Sequence, residues 1–383
     1  MTRLEQNGLH AQAPTPAHCF PADYAQGRAR FLDAAAAAGA VLSHHELPGH
    51  RGRQGEALAL DAALLPARPE RPGTDAQAPL LIVSSGVHGV EGLCGSGCQQ
   101  HLLLDHELLA LARSRGVDLL FLHAVNPHGF SHLRRGNEDN IDLNRNCIDF
   151  TAGAPLANPG YAELHGWLVP PTWPPDDAVQ QQLNQAQQRL GVAAYRRAVT
   201  AGQNSHPGGL FYSGQAPSWS NRTVRELLRT HGAQRRHIAW VDLHTGLGPR
   251  GHGEKIHAGR TTQADLLRGR RLWGADVVAA WEGQSASEQV RGPVVGCVYD
   301  ECPQAEVAAI ALEFGTVPYD QFLDALRADQ WLHQHPEAPA ALAAAIRQGM
   351  RDAFYVDADD WRGMVAAQAR VAVLQACLGL GAG

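Results

Sequence analysis

The 383-residue sequence contains a single lysine, Lys255, so arginine carries almost all of its positive charge. Its 32 basic residues face 38 acidic ones, for a formal net charge of -6, and no basic stripe interrupts that balance. A nucleic-acid partner is therefore not expected, because phosphate binding needs clustered positive charge. No uninterrupted apolar run reaches the roughly 18 residues that span a bilayer. Met1-Thr-Arg-Leu-Glu-Gln-Asn lacks the apolar core of a signal peptide, so no membrane association is expected. Cysteine is sparse: Cys19, Cys94, Cys98, Cys147, Cys297, Cys302 and Cys377. An odd count at irregular spacing argues against a disulfide framework and for a reducing, cytoplasmic setting. Cys94 and Cys98 stand four apart on an expected helix. With no second pair to complete a metal site, they read as small buried thiols rather than a metal or redox pair.

What is present is a hydrophobic content of 44%, enough to bury a large core. Residues 1–20 read as an extended arm, 24–38 as a helix, and 41–47 and 57–64 as strands around a Gly-rich turn, with a loop over 66–78. Four short apolar runs, 80–85, 117–124, 238–243 and 308–314, have the texture of buried strands. Each runs into a glycine-containing loop, and a helix is expected over about 91–114. This repeat predicts an α/β fold with a mixed, largely parallel central sheet flanked by helices. Between about 150 and 217 the composition shifts to Pro, Gly and Gln, with a helix over 179–201. That stretch reads as an insertion in a single catalytic domain spanning 21–383. Residues 319–377 are mostly helical, with a break at Pro336-Glu-Ala-Pro.

In open α/β sheets ligands bind beyond the carboxyl ends of the strands, and His88, Glu91, His244 and Glu313 lie at or just past such ends. His88-Gly-Val-Glu91 joins a strand to a helix, so its two polar side chains can converge. Alone, a His and a Glu three apart is a weak signal. His244 ends the run Trp240-Val-Asp-Leu, and Asp242 shares its strand face, where it can orient a ligand histidine. The competing reading is a satisfied core or surface histidine among the 20 in the chain. Two imidazoles and a carboxylate make an open zinc site with a position left for water. Asp142-Leu-Asn-Arg145 offers an arginine fork and a neighbouring Asn144 for a carboxylate. Arg134 and Arg135 precede it and can stabilise an oxyanion; a salt-bridged surface loop is the alternative for this segment. Glu313, inside Ile310-Ala-Leu-Glu-Phe-Gly, is costly in an apolar strand unless paired with an arginine or used as a general base toward a metal-held water.

In order and residue type, His88-x-x-Glu91, Asn144-Arg145, His244 and Glu313 resemble the zinc carboxypeptidase superfamily, the carboxypeptidase A-like enzymes. That superfamily also contains succinylglutamate desuccinylase and aspartoacylase. Ser85-Gly-Val-His-Gly-Val-Glu-Gly, His206-Pro-Gly-Gly-Leu-Phe-Tyr and Asp242-Leu-His-Thr-Gly-Leu-Gly resemble a bacterial branch of it. The resemblance covers roughly residues 20–375. It implies one zinc ion held by His88, Glu91 and His244, Glu313 as catalytic carboxylate, and Arg145 with Asn144 as clamp for the substrate carboxylate. It also implies Arg134 or Arg135 at the oxyanion and a tyrosine over the substrate, for which Tyr299 and Tyr212 are both open. Glu91 and His244 are separated by 152 residues, more than in typical carboxypeptidases, so substrate choice does not carry over. The expectation is a hydrolase of an amide bond next to a free carboxylate, acting on a small peptide as a metallocarboxypeptidase. An N-acyl amino acid amidohydrolase is the alternative, and a silent binding protein is the third reading. Cobalt or manganese can replace zinc in such a ligand set.

Overall fold

A computed structural model describes residues 15–68, 78–151 and 156–381. Most of the expected N-terminal arm and most of the 66–78 loop lie outside the described residues. Seven strands form one sheet: β1 (Val41–Arg51), β2 (Ala57–Leu65), β3 (Leu80–Ser85), β4 (Asp118–His123), β5 (His237–Arg250), β6 (Gly253–His257) and β7 (Glu306–Gly315). Their order is β1-β2-β4-β3-β5-β7-β6. The four central strands β4, β3, β5 and β7 are mutually parallel, whereas β1, β2 and β6 join antiparallel. The sheet is thus mixed and largely parallel, as expected. Strand β6 was not anticipated: five residues with polar Glu254 and Lys255 at a sheet edge carry no apolar run.

The helices are α1 (Tyr24–Ala37), α2 (Gly92–Leu103), α3 (His106–Ser114), α4 (Pro127–His132), α5 (Pro159–Leu168), α6 (Asp177–Leu190), α7 (Val192–Thr200), α8 (Trp219–His231), α9 (Gln263–Trp273), α10 (Cys297–Glu301), α11 (Tyr319–Gln334), α12 (Ala340–Phe354) and α13 (Asp359–Leu380). Two of the expected helices are broken. The 91–114 stretch divides because the Asp105 side chain caps α3 by accepting from Leu108 N. The 179–201 stretch divides at Gly191, whose φ of 78° is a left-handed conformation that ends α6.

Alternation along the strands fills two layers. Leu81, Val83, Val241 and Ile310 face one core with α1, α2, α9 and α13. Ile82, Trp240 and Ala309 face the other, with α8 and α10. Helices α5, α6 and α7, from the Gln-rich stretch, bury a separate cluster against α11 and α12 that reaches Val90 beside the sheet end. α13 has 22 residues and is long and apolar enough to cross a membrane. Its Trp361, Val365, Ala369 and Val373 nevertheless sit in the first core.

One cysteine reading is corrected. Cys147 and Cys297 form a disulfide across a sequence separation of 150, with Cα atoms 5.9 Å apart. Asn144 Oδ1 accepts from Val294 N at 2.9 Å and so ties the two segments together, a proximity that spacing alone does not reveal. The expected reducing setting rested on the absence of disulfides and loses that support. Cys94 and Cys98 are free and buried on α2, as packing thiols are.

Candidate metal centre

Strand β3 ends at Ser85, and His88 follows after a turn. A short 3-10 turn, Gly89–Glu91, then leads into α2. The turn is pinned from outside. Gly89 N and Val90 N donate to the carbonyls of Arg135 and Arg134 at 3.3 and 2.9 Å. Gly89 lies so close to Gly129 that a Cβ would stand 2.0 Å from its carbonyl carbon, so only glycine permits this approach. Across the sheet, His244 and Glu313 are register partners on the parallel strands β5 and β7.

These elements bring His88, Glu91 and His244 together, all buried, with one ligand atom from each within 4.8 Å of the others. His88 Nδ1 lies 2.8 Å from Glu91 Oε1 and His244 Nδ1 2.9 Å from Glu91 Oε2. The far nitrogens are backed by carboxylates. His244 Nε2 is 2.6 Å from Asp242 Oδ2, and His88 Nε2 is 3.3 Å from Asp142 Oδ1. Asp242 in turn accepts from Ser84 Oγ at 2.6 Å, and Ser84 Oγ accepts from Trp240 Nε1 at 2.6 Å. Asp242 behind Nε2 of His244 can hold a proton there and turn Nδ1 toward the shared point, while His88 Nε2 lies between Asp142 and the Arg135 guanidinium. Two imidazoles and a carboxylate so arranged fit a catalytic zinc, which takes three protein ligands.

Charge in the site follows from burial and these contacts. Burial alone would raise the Glu91 carboxyl, but His88 and His244 beside it hold it down at about 2. Burial opposes a charged His244, yet Asp242 and Glu91 outweigh it and raise its pKa well above the usual imidazole value. Glu313 behaves oppositely: burial, reinforced by Glu91, pushes its carboxyl up to about 7. Its Oε1 accepts from Leu247 N at 2.9 Å.

One pocket collects these groups. It encloses about 1110 Å³ including its open mouth, and it is lined by His88, Glu91, His244, Glu313, Arg135, Asn144 and Arg145. The two candidate arginines separate. Arg134 points away, with Nε 3.2 Å from Asp329 Oδ1, Nη1 2.9 Å from His333 Nδ1 and Nη2 donating to Asn140 at 3.0 Å. Arg135 donates from Nε to Asp142 at 3.0 Å and reaches His88 Nε2 from Nη2 at 2.7 Å. Burial lowers Arg145 to about 10. Its Nε and Nη2 donate to Thr200 O, and its Nη1 donates to Asn144 O at 3.0 Å. A guanidinium has five donor hydrogens, so two remain for a ligand.

Neither candidate tyrosine lines the pocket. Tyr212 is packed in the second core, where its carbonyl accepts from Asp142 N. The Tyr299 hydroxyl accepts from Arg260 N at 3.2 Å, beneath the Arg260 guanidinium. The lining tyrosine is Tyr319, at the start of α11, joined by Arg196 from α7 and Phe211. Tyr319 follows Glu313 by only six positions, which is a signal of sorts. Arg196 lies in a helix whose sequence says nothing about the sheet end it meets.

The model of the family described as "Protein of unknown function (DUF2817)" matches residues 20–368. No curated protein matches the chain. Among solved structures, the chain is similar to carboxypeptidase A from Helicoverpa armigera at 16% identity, covering 91% of this chain and 73% of that one, with a TM-score of 0.45. It is similar to a metallo-carboxypeptidase from Burkholderia cenocepacia at 11% identity, 92% and 68% coverage and a TM-score of 0.39. It is also similar to the murein-tripeptide amidase MpaA from Escherichia coli O157 at 17% identity, 80% and 91% coverage and a TM-score of 0.30.

Proposed function

We propose that this chain, which belongs to the DUF2817 family, is a zinc-dependent hydrolase of an amide bond adjacent to a free carboxylate, acting as a metallocarboxypeptidase. The observation that carries the proposal is the convergence of His88, Glu91 and His244 on one point, with Glu313 on the neighbouring strand in the same pocket. His88, Glu91 and His244 would hold the zinc, which supplies Lewis acidity at the scissile carbonyl when bound.

The remaining roles belong to the chain's own residues. Glu313 takes a proton from the attacking water and returns it to the leaving amine. Its oxygen is fixed by the Leu247 amide. Arg135, rather than Arg134, offers donors to the developing oxyanion, because it alone of the two lines the pocket. Arg145 presents its two spare hydrogens to the substrate carboxylate, with Asn144 beside it. Asp142 and Asp242 orient the two histidines.

A second reading is an N-acyl amino acid amidohydrolase. The pocket wall formed by Arg196, Thr200 and Phe211, all from the 150–217 stretch, narrows the space available and favours small substrates. Hydrolysis of N-acyl dipeptides beside N-acyl amino acids separates the two readings. Release of a C-terminal amino acid, abolished by C-terminal amidation, marks a carboxypeptidase; cleavage of N-acyl amino acids alone marks the deacylase. Glu313→Gln is expected to lower turnover by about 10²–10⁴-fold with zinc retained. His244→Ala is expected to lose zinc by elemental analysis. Full turnover in the first variant, or full zinc in the second, overturns the assignment.

A further inference from the structure

The part of the pocket wall contributed by α7 and α11 contains two polar groups that the proposed chemistry does not use. Arg196, on α7, lies with its guanidinium 4.3 Å from the centre of the Tyr319 ring. Its Nε is buried and has no hydrogen-bond partner, and the Tyr319 hydroxyl is likewise buried and unpartnered. Among the described residues Arg196 makes no ion pair. Glu288 on the same wall faces Arg197 at 3.8 Å instead. Buried donors without acceptors are rare in folded proteins and cost stability unless something else satisfies them. Both groups are donors here, since burial pushes the Tyr319 phenol up and keeps it protonated. Arg196 adds a positive charge.

The placement of Arg196 relative to Arg145 is set by one helix. Thr200, the last residue of α7, holds the Arg145 fork through its carbonyl. Arg196 stands four residues earlier on the same face, a rise of about 6 Å. We propose that Arg196 and Tyr319 form a second anion subsite about one helical turn from Arg145. The pocket then takes a dicarboxylate, a substrate bearing an acidic group besides the carboxylate next to the scissile amide. The subsite rests on reading this pocket as the substrate site.

The test is calorimetric binding of linear α,ω-dicarboxylates of four to eight carbons, each against its monoamide, to the zinc-loaded protein. One or more chain lengths should favour the dianion by about tenfold or more, the scale of a charge-assisted hydrogen bond. Arg196→Gln should reduce that preference to about threefold or less, and Tyr319→Phe should reduce it in part. Arg196→Lys should keep much of it, and monoamide affinity should stay unchanged throughout. Full preference in Arg196→Gln, or no dianion preference at any length, overturns the subsite. A protein that binds dicarboxylates through Arg196 yet hydrolyses no amide would sink the hydrolase reading and leave the subsite standing.

Discussion

Adjacent arginines, Arg134 and Arg135, are expected to fail in opposite ways when replaced. Arg134 is buried at 7% exposure against Asp329 at 5%. Burial already raises the Asp329 carboxyl against the pull of Arg134. Arg134→Gln leaves that carboxylate without its cation, and breaking a buried pair from one side costs about 3–5 kcal/mol. Unfolding entropy of about 2.1 cal/mol/K per residue gives about 0.8 kcal/mol/K for a chain of this length, so Tm should fall by about 4–6 °C. A raised carboxyl pKa favours the folded state at low pH, and that benefit is lost as pH rises through the folded value. The deficit of Arg134→Gln should therefore shrink on acidification, and Asp329→Asn in the same chain should recover part of it. Arg135→Gln strands less charge, because Asp142 keeps Arg145 at 4.0 Å and His88 at 3.3 Å. Its melting point should move little, while kcat falls by about 10²–10³-fold if its donors meet the oxyanion. Thermal melts and steady-state kinetics on the substrate found by the hydrolysis screen decide the matter. Loss of turnover in Arg134→Gln at an unchanged Tm would refute the assignment of roles.

Two further outcomes concern groups outside the pocket lining. His123 is buried against Phe31 at 4.5 Å, with Nε2 2.9 Å from Ser96 Oγ, and burial drives its pKa down to about 4. Between the ordinary value of 6.5 and about 4 the unfolded chain binds the extra proton, so stability falls as pH drops through that window, by about 3 kcal/mol for this group. Denaturant titrations across that window should show a flatter profile for His123→Phe; an identical slope would show that His123 is not held neutral. Chain-entropy arithmetic for a loop closed across 150 residues gives about 5 kcal/mol for the Cys147–Cys297 disulfide. Removing both cysteines, or reducing the wild type, should lower stability by up to about that amount, and a wild type indifferent to reductant would show the two thiols unjoined.

The readable parts of this molecule are those in which one local stretch carries both pattern and consequence. Strands β3, β4, β5 and β7 are buried on both faces, so each had to be a continuous apolar run, and a polar residue at such an end stands out. His244 and Glu313 are polar residues of that kind, whereas His88 and Glu91, a weak signal alone, gain weight from their order with the other two. Some missed features are local and others depend on pairs of segments. Helix breaks at Asp105 and Gly191 turn on single caps inside otherwise helical composition. The Cys147–Cys297 disulfide and the facing of Arg196 and Tyr319 join positions more than a hundred residues apart, where spacing holds no information.

That division has a physical origin. A parallel sheet delivers the ends of strands distant in sequence to one edge, and register then sets which side chains meet: His244 opposite Glu313, Ser84 opposite Asp242. Residues that the sheet itself positions are legible, because the strand pattern is legible. Residues that reach the pocket from helices packed over that edge are positioned by side-chain packing between α7, α11 and α12, which has no period to read. The proposed ligand set and the proposed general base belong to the first kind and the two lining groups of the proposed anion subsite to the second. The sequence can therefore support a reaction class while leaving substrate choice to the part of the pocket it describes least.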